Sequence, residues 1–264
     1  MSTTIFYFSG SGNSLAVAKS IGSKIGNCTL KPIVKTIAER DFSVKTERVG
    51  FVFPLYYVGI PKIVQEFVKE ADLTKASYIF AVVTKGWPVV GGAFNQLSQL
   101  LKTKNRKLDA GIYIRMPSND ITFTKVDPPR IQKKLLDKST LKIVQISEMI
   151  NSERQKRDPE LLWFLWPIRN IPFITRVNQE DRFFSVGSDC NGCGSCAKVC
   201  PMDNIKMNDK PQWQGRCQQC LACYHFCPHK AIYFRGQQAN GIQYHHPEVN
   251  FAEIAGQRAG FIQK

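Results

Sequence analysis

Eight cysteines decide most of the chemistry open to this chain. Cys190, Cys193, Cys196 and Cys200 stand in the spacing C-x2-C-x2-C-x3-C, with Pro201 next. Cys217, Cys220, Cys223 and Cys227 repeat it, with Pro228 next. The runs begin 27 residues apart, at 190 and 217, so the region is an internal repeat. Thiolates at this spacing wrap a cubane of iron and sulfide, and a doubled run calls for two [4Fe–4S] clusters. Structural zinc is the competing reading, because zinc also takes paired cysteines. Zinc sites pair them as C-x2-C, however, and a triple followed by Cys-Pro, twice over, speaks for cubanes. Pro201 and Pro228 end short helical turns and redirect the chain. Gly192 and Gly194 let the backbone approach the sulfides. Clusters of this kind carry single electrons, so the rest of the chain must say where those electrons go.

The doubled run is similar to that of the bacterial two-cluster ferredoxins. That resemblance implies that three thiolates of each run hold one cluster while the fourth crosses to the other. Cluster one then takes Cys190, Cys193, Cys196 and Cys227. Cluster two takes Cys217, Cys220, Cys223 and Cys200. His225 and His229 flank Cys227 and read as surface residues, with hydrogen bonding to the sulfides as the alternative. Trp213, between the runs, reads as a packing residue. Cys28 stands alone and reads as a buried structural thiol in or before the second strand.

A second candidate site lies at the other end of the chain. Ser9-Gly10-Ser11-Gly12-Asn13-Ser14 follows a short apolar run and leads into a helical pattern. Its chemistry suits a phosphate. Two glycines let backbone N–H groups converge, three hydroxyls can donate, and the next helix presents its positive end. No Lys closes the loop, so it is not a Walker A motif; nor is it G-x-G-x-x-G. The loop resembles the phosphate loop of flavodoxins, with serine at each hydroxyl position. That resemblance implies bound FMN, and it draws in two later loops for the flavin ring. One is Pro54-Leu55-Tyr56-Tyr57-Val58-Gly59-Ile60-Pro61. The other is Thr84-Lys85-Gly86-Trp87, continuing to Gly91-Gly92-Ala93. Tyr56, Tyr57 and Trp87 are the stacking candidates. Met116-Pro117-Ser118-Asn119 is a candidate for further rim.

These loops need a scaffold that brings them together. Ile5–Phe8, Thr29–Val34, Val49–Phe53, Tyr78–Val83 and Gly111–Met116 read as buried strands. Ser14–Ile25, Ile63–Val68, Ala93–Leu101 and Ile131–Ile150 carry helical spacing. The βαβ rhythm predicts an α/β fold with a doubly wound parallel sheet and helices on both faces. The flavodoxin resemblance implies strand order 2-1-3-4-5, with ligands beyond the strands' C-terminal ends. A small α+β two-cluster ferredoxin-like domain follows. The boundaries read as 1–158 for the flavodoxin-like domain, 159–184 for an aromatic-rich connector, 185–235 for the cysteine unit and 236–264 for a tail. Leu161–Ile174 in the connector reads as interdomain packing, with its aromatics shielding a cofactor as the alternative.

The chain has 264 residues, 43% apolar, enough for one large domain or two modest ones. Nine cysteines, eight of them in metal spacing, fit a reducing cytosol better than a disulfide scaffold. No signal peptide is visible, and the apolar stretch at 161–174 is too short and interrupted to span a bilayer. The net charge is +15. Residues 1–185 hold 28 Lys/Arg and 16 Asp/Glu, hence +12, and residues 186–264 hold 8 and 5, hence +3. Such a surface suits an acidic redox partner of ferredoxin type. It carries no nucleic-acid motif, so a regulator that binds nucleic acid rests on charge alone. As a whole the chain resembles flavodoxin–ferredoxin fusion proteins of anaerobic bacteria and archaea. That resemblance implies an electron-transfer flavoprotein joining two [4Fe–4S] clusters to FMN. The alternative is a reductase acting on a small molecule at the flavin, with Tyr57, Lys85, His245 and His246 as the proton-donor candidates. Transfer runs inside one chain, or across a homodimer in which one chain's clusters face the other's flavin.

Overall fold

In the computed structural model, residues 1–88, 91–236 and 241–260 are described. Of the segments singled out above, Val89, Val90, 237–240 and 261–264 lie outside the described residues.

Six strands form one sheet: β1 (Thr3–Tyr7), β2 (Cys28–Pro32), β3 (Arg48–Pro54), β4 (Tyr78–Lys85), β5 (Ala110–Arg115) and β6 (Lys156–Arg157). Their order is β2-β1-β3-β4-β5-β6, and every pairing is parallel. Both faces are covered, which is why the inner strands read as continuous apolar runs. The side chains alternate all the same. Phe6, Phe8, Val49, Phe51, Phe53, Ile79, Ala81 and Val83 enter one core. Ile5, Tyr7, Val52, Phe80, Val82, Ile112 and Ile114 enter the other. Helices α1 (Asn13–Ile25) and α5 (Pro129–Asn151) pack side by side on the second face. Helices α2 (Ile33–Ala38), α3 (Lys62–Glu70) and α4 (Ala93–Lys102) cover the first.

Two expectations need correction. The strand read at Thr29–Val34 stops at Pro32, whose fixed φ caps α2, so Val34 is helical. The sheet also gains β6, a two-residue edge strand of Lys156 and Arg157. A charged edge strand leaves no apolar signal. It is pinned instead by Asp158, whose N–H donates to Gly111 O and whose carboxylate accepts from Tyr113 N.

After a 3₁₀ turn at Trp163–Leu165 comes α6 (Trp166–Arg176), then a second 3₁₀ stretch at Val177–Phe183. The cysteine unit contains β7 (Phe184–Val186), α7 (Ser195–Lys198), β8 (Ile205–Met207), β9 (Pro211–Trp213), α8 (Ala222–His225) and β10 (Ile232–Phe234). Strand β7 pairs antiparallel with β10, and β8 with β9. Its core joins Phe184, Ile205, Tyr224, Ile232 and Phe234 to Cys196, Cys223 and Cys227. Trp213 packs here, its ring stacked on Phe184 at 5.4 Å. Helix α9 (Phe251–Ala255) closes the chain with an Asn250–Glu253 capping box. Among the described residues no helix is long and apolar enough to cross a membrane.

Candidate functional site: a cavity between the sheet edge and the cysteine unit

The C-terminal ends of β1, β3, β4 and β5 open into a cavity of about 490 Å³. That volume lies within the range of small-molecule and cofactor sites. The turn after β1 forms its floor. Ser9, Ser11 and Ser14 are all buried. Ser14 Oγ lies 2.8 Å from Thr84 Oγ1, and Ser11 Oγ accepts from the Asn119 amide at 2.7 Å. Gly12 stands at the N-cap of α1 with φ 97°, and no side chain caps the helix. The uncapped N-terminus of a thirteen-residue helix thus points its N–H groups and positive end at the loop. These features fit a phosphate held by backbone and hydroxyl donors, with no lysine required.

The loop after β3 makes a tight turn. Tyr56 and Gly59 bond each other's backbones at 3.0 and 2.9 Å, around Tyr57 (φ 49°) and Val58 (φ 60°). A β-branched residue at positive φ is strained, and such strain persists only where the surroundings impose it. Here Gly91 and Gly92 do so. A Cβ on Gly91 would stand 2.2 Å from Val58 O, and the Gly92 N–H donates to the same oxygen at 2.7 Å. Buried Asn170 clamps the loop's other side, its amide donating to Tyr56 O and Ile60 O.

The cavity gathers Ser9, Gly10, Ser11, Asn13, Ser14, Pro54, Tyr56, Tyr57, Thr84, Gly86 and Trp87 of the residues anticipated from sequence. Gly12, Gly59, Gly91 and Gly92 lie off it and serve loop packing. The Met116–Asn119 segment does line it. The aromatics differ in their freedom. Tyr57 stacks on Phe173 at 4.0 Å, which covers one ring face, and burial, followed by the Asp120 and Glu180 carboxylates, pushes its hydroxyl up to about 12. Tyr56 is half-buried against Phe8 and Phe173, and desolvation raises its pKa well above the usual range. Trp87 stays exposed on the rim. Of the proton-donor candidates, Tyr57 and Lys85 line the cavity, and burial lowers the Lys85 pKa. His246 faces the back of the serine loop, and His245 stacks on Phe226.

Sequence reasoning missed three parts of the wall. Asp120, Thr122, Phe123 and Thr124 come from the loop after β5. Leu162, Leu165 and Arg169 come from the connector, which therefore builds the site as well as packing between units. Gln219, Cys220 and Leu221 come from the second cysteine run. That last contact is close: a Cβ on Gly10 would stand 2.0 Å from Cys220 O, so only glycine fits there.

The tail reaches the same loop from behind. Buried Gln257 brackets Ser9, accepting from its N–H and donating to its C=O, both at 3.1 Å. His246 N–H donates to Ser11 O at 2.8 Å, and Tyr244 OH donates to Asn13 Oδ1 at 2.7 Å. Helix α9 adds a Lys19–Glu253 ion pair at 2.5 Å. A segment with no sequence periodicity is thus a brace for the serine loop.

In the cysteine unit burial and neighbouring thiols raise several of the cysteines. Burial and the neighbouring Cys220 push Cys200 up to about 12. Burial raises Cys217 and Cys223 well above the usual thiol range, with Cys220 and Cys200 contributing to both. Burial pushes Cys196 up to about 11, and Cys227 and Cys193 add to it. Cys200 thus lies near Cys217, Cys220 and Cys223, and Cys227 near Cys196, while Cys196 also acts on Cys223. The all-thiol donor sets fit cubanes, which need deprotonated sulfur and shelter from water. Among the described residues, no three His, Cys, Asp or Glu side chains converge tightly enough for a single ion. His225 departs from its reading as a surface residue. It is buried, with Nε2 2.7 Å from Asn119 O and Nδ1 accepting from Tyr244 N–H. His229 is exposed as expected. Cys28 opens β2 and is half-buried, not fully buried.

Comparison with known proteins adds the following. Residues 189–232 match the family described as the 4Fe-4S dicluster domain. Among curated proteins none matches the chain. Among solved structures, an archaeal flavodoxin shares 16% identity over 57% of this chain and 99% of its own, with a TM-score of 0.38. The two-electron reduced flavodoxin of Megasphaera elsdenii shares 17% over 53% of this chain and 98% of its own, at 0.34. An azoreductase of Bacillus anthracis shares 9% over 58% of this chain and 100% of its own, at 0.39. The strand order itself carries the fold assignment, since β2-β1-β3-β4-β5 is the flavodoxin-like order, here extended by β6. The chain joins a flavodoxin-like α/β unit to a small iron–sulfur unit similar to the 4Fe-4S dicluster domain.

Proposed function

We propose that this protein is an electron carrier holding FMN in the cavity and two [4Fe–4S] clusters in the cysteine unit. It exchanges single electrons with an acidic, ferredoxin-type redox protein. When bound, the clusters supply electrons singly and the flavin holds one or two. One observation supports this reading above the others. Cys220, a ligand of cluster two on this reading, also lines the cavity at the serine loop. Cluster site and flavin site then share a wall within one chain, which favours intrachain transfer over a dimer.

The chain's own residues divide the work. Ser9–Ser14 and the start of α1 would hold the phosphate, with Gln257 and His246 fixing the loop. Tyr56, Tyr57 and Trp87 would flank the ring, and Thr84 and Gly86 would meet its polar edge. Cys217, Cys220, Cys223 and Cys200 would hold cluster two at the cavity. Cys190, Cys193, Cys196 and Cys227 would hold cluster one, and Cys193 is exposed. That exposed edge is where the partner would reach. A reductase acting on a small molecule is the second reading, supported by Tyr57 and Lys85 on the cavity wall.

Anaerobic purification with metal and flavin analysis tests the proposal. It expects about eight iron atoms and one FMN per chain. Zinc in place of iron, or a chain without flavin, overturns it. Steady turnover of a small oxidant without any protein partner would favour the second reading.

A further inference from the structure

The connector presents two unlike sides. Inward, Asn170 and Phe173 of α6 are fully buried. Outward, Leu161 is 76% exposed, Trp163 52%, Phe164 52%, Ile168 68% and Ile171 44%. Positions 161, 164, 168 and 171 recur at three- and four-residue steps, so one face of the turn and helix is apolar and bare. A contiguous apolar surface of this kind marks an interaction site.

The charges sort in the same way. Between residues 161 and 183 the acids are Glu180 and Asp181, and both are buried. Glu180 pairs with Arg176 and Arg235, and Asp181 accepts from Asn204 and Gly215 N–H. Glu160, just before, turns inward to Phe94 N–H, Asn95 N–H and the Tyr113 hydroxyl. Every exposed charge on the segment is an arginine: Arg169, Arg176 and Arg182. The outward side is therefore bulky and apolar with arginines along its margin, Arg169 shared with the cavity rim and Arg176 with Glu180, on a chain of net charge +15.

We propose that this face seats the protein on an anionic lipid surface, with 161–171 lying in the headgroup layer. Tryptophan, phenylalanine and branched aliphatics settle at that depth, and arginine stems reach out of it to lipid phosphates. Leu161, Phe164, Ile168 and Ile171 stand exposed one after another along the segment. Lipid adapts to such a row, whereas a folded protein would need a matching groove. At 1.5 Å per residue the turn and α6 together are too short to cross the bilayer, so the element lies in its plane. The same segment lends Leu162, Leu165 and Arg169 to the cavity wall, whose rim carries exposed Trp87 and Phe123. Seating would bring the cavity mouth to the lipid. The inference stands on surface residues and does not depend on what fills the cavity.

The test sediments the anaerobically purified full chain with vesicles of phosphatidylcholine alone or mixed with phosphatidylglycerol. The chain is expected to sediment with the anionic vesicles, much less with the neutral ones, and less as salt rises. Phe164→Ser and Ile168→Ser should each lower the partition about tenfold or more, with circular dichroism and visible absorption unchanged. A charge-only control, Lys133→Ser on α5, should change little. No sedimentation with either vesicle overturns the proposal, as does binding by the serine variants as strong as that of the unaltered chain. A dimer in solution that these variants break would assign the face to a second copy. Capture of an acidic redox protein lost in the variants, with vesicle binding intact, would assign it to that partner.

Discussion

The first cysteine run takes its left-handed turns with Gly192 (φ 74°) and Gly194 (φ 75°). The second, 27 residues on, holds Gln219 (φ 51°) and Leu221 (φ 62°) at the same repeat positions. Glycine adopts this conformation freely, whereas another residue loses about 1–2 kcal/mol. The second run keeps the costly choice because its side chains have partners. Gln219 reaches the Tyr57 hydroxyl and Glu180, and Leu221 is buried in the cavity wall. The first run has Cys193 exposed and its glycines toward β8 and β9. Backbone geometry persists elsewhere in the repeat, as at Asp203 (φ 47°) and Lys230 (φ 50°). The two copies thus share the thiol-wrapping backbone, while the copy facing the cavity carries side chains that build it.

The largest effect should separate the two runs. Cys193→Ser removes a ligand at the exposed run and should lower iron by about half while FMN stays bound. Cys220→Ser should lower iron and FMN together, because its backbone packs on Gly10. Metal and flavin analysis of both variants decides the point, and equal flavin retention would erase the distinction. Next in size is Gly10→Val. Its side chain would overlap Cys220 O and should cost about 3 kcal/mol or more of stability. Flavin titration and anaerobic melting should both register it. A valine at Gly26, where nothing lies within 4 Å of an added Cβ, should lack the clash and cost less.

The smallest effect is an exchange between repeat positions. Gly192→Gln should destabilise by about 1–3 kcal/mol, since it takes on left-handed strain and meets Asp209 O at 2.8 Å. Gln219→Gly relieves strain but gives up its contacts with Tyr57 and Glu180, so the two terms should nearly cancel, within about 1 kcal/mol. Chemical denaturation of the holoprotein followed by circular dichroism would measure both. Equal losses would mean that the two runs are interchangeable.

Much of the sheet was legible because its signal is local. The runs at Val49–Phe53 and Tyr78–Val83 are buried on both faces, so apolarity alone marks them as strands. The serine loop stood out because glycines and hydroxyls before a helix suit a phosphate. Strand β6 was not, since Lys156 and Arg157 join the edge through backbone bonds that any residue can make. Nor was Asn170, a single buried amide that ties the connector to the loop after β3. The tail's polar residues carried no pattern, yet Gln257 and Ser9 meet across 248 positions.

The sequence by itself marked out two candidate sites. A cubane is wrapped by thiols a few residues apart, and a phosphate loop by one turn of chain, so both are written in local spacing. The tertiary structure alone decided that the two meet. Packing brought Cys220 against Gly10, turned the connector into a cavity wall and folded Gln257 back onto Ser9. Those contacts join residues remote in the chain through shape and single hydrogen bonds, and neither leaves a period or a motif to read.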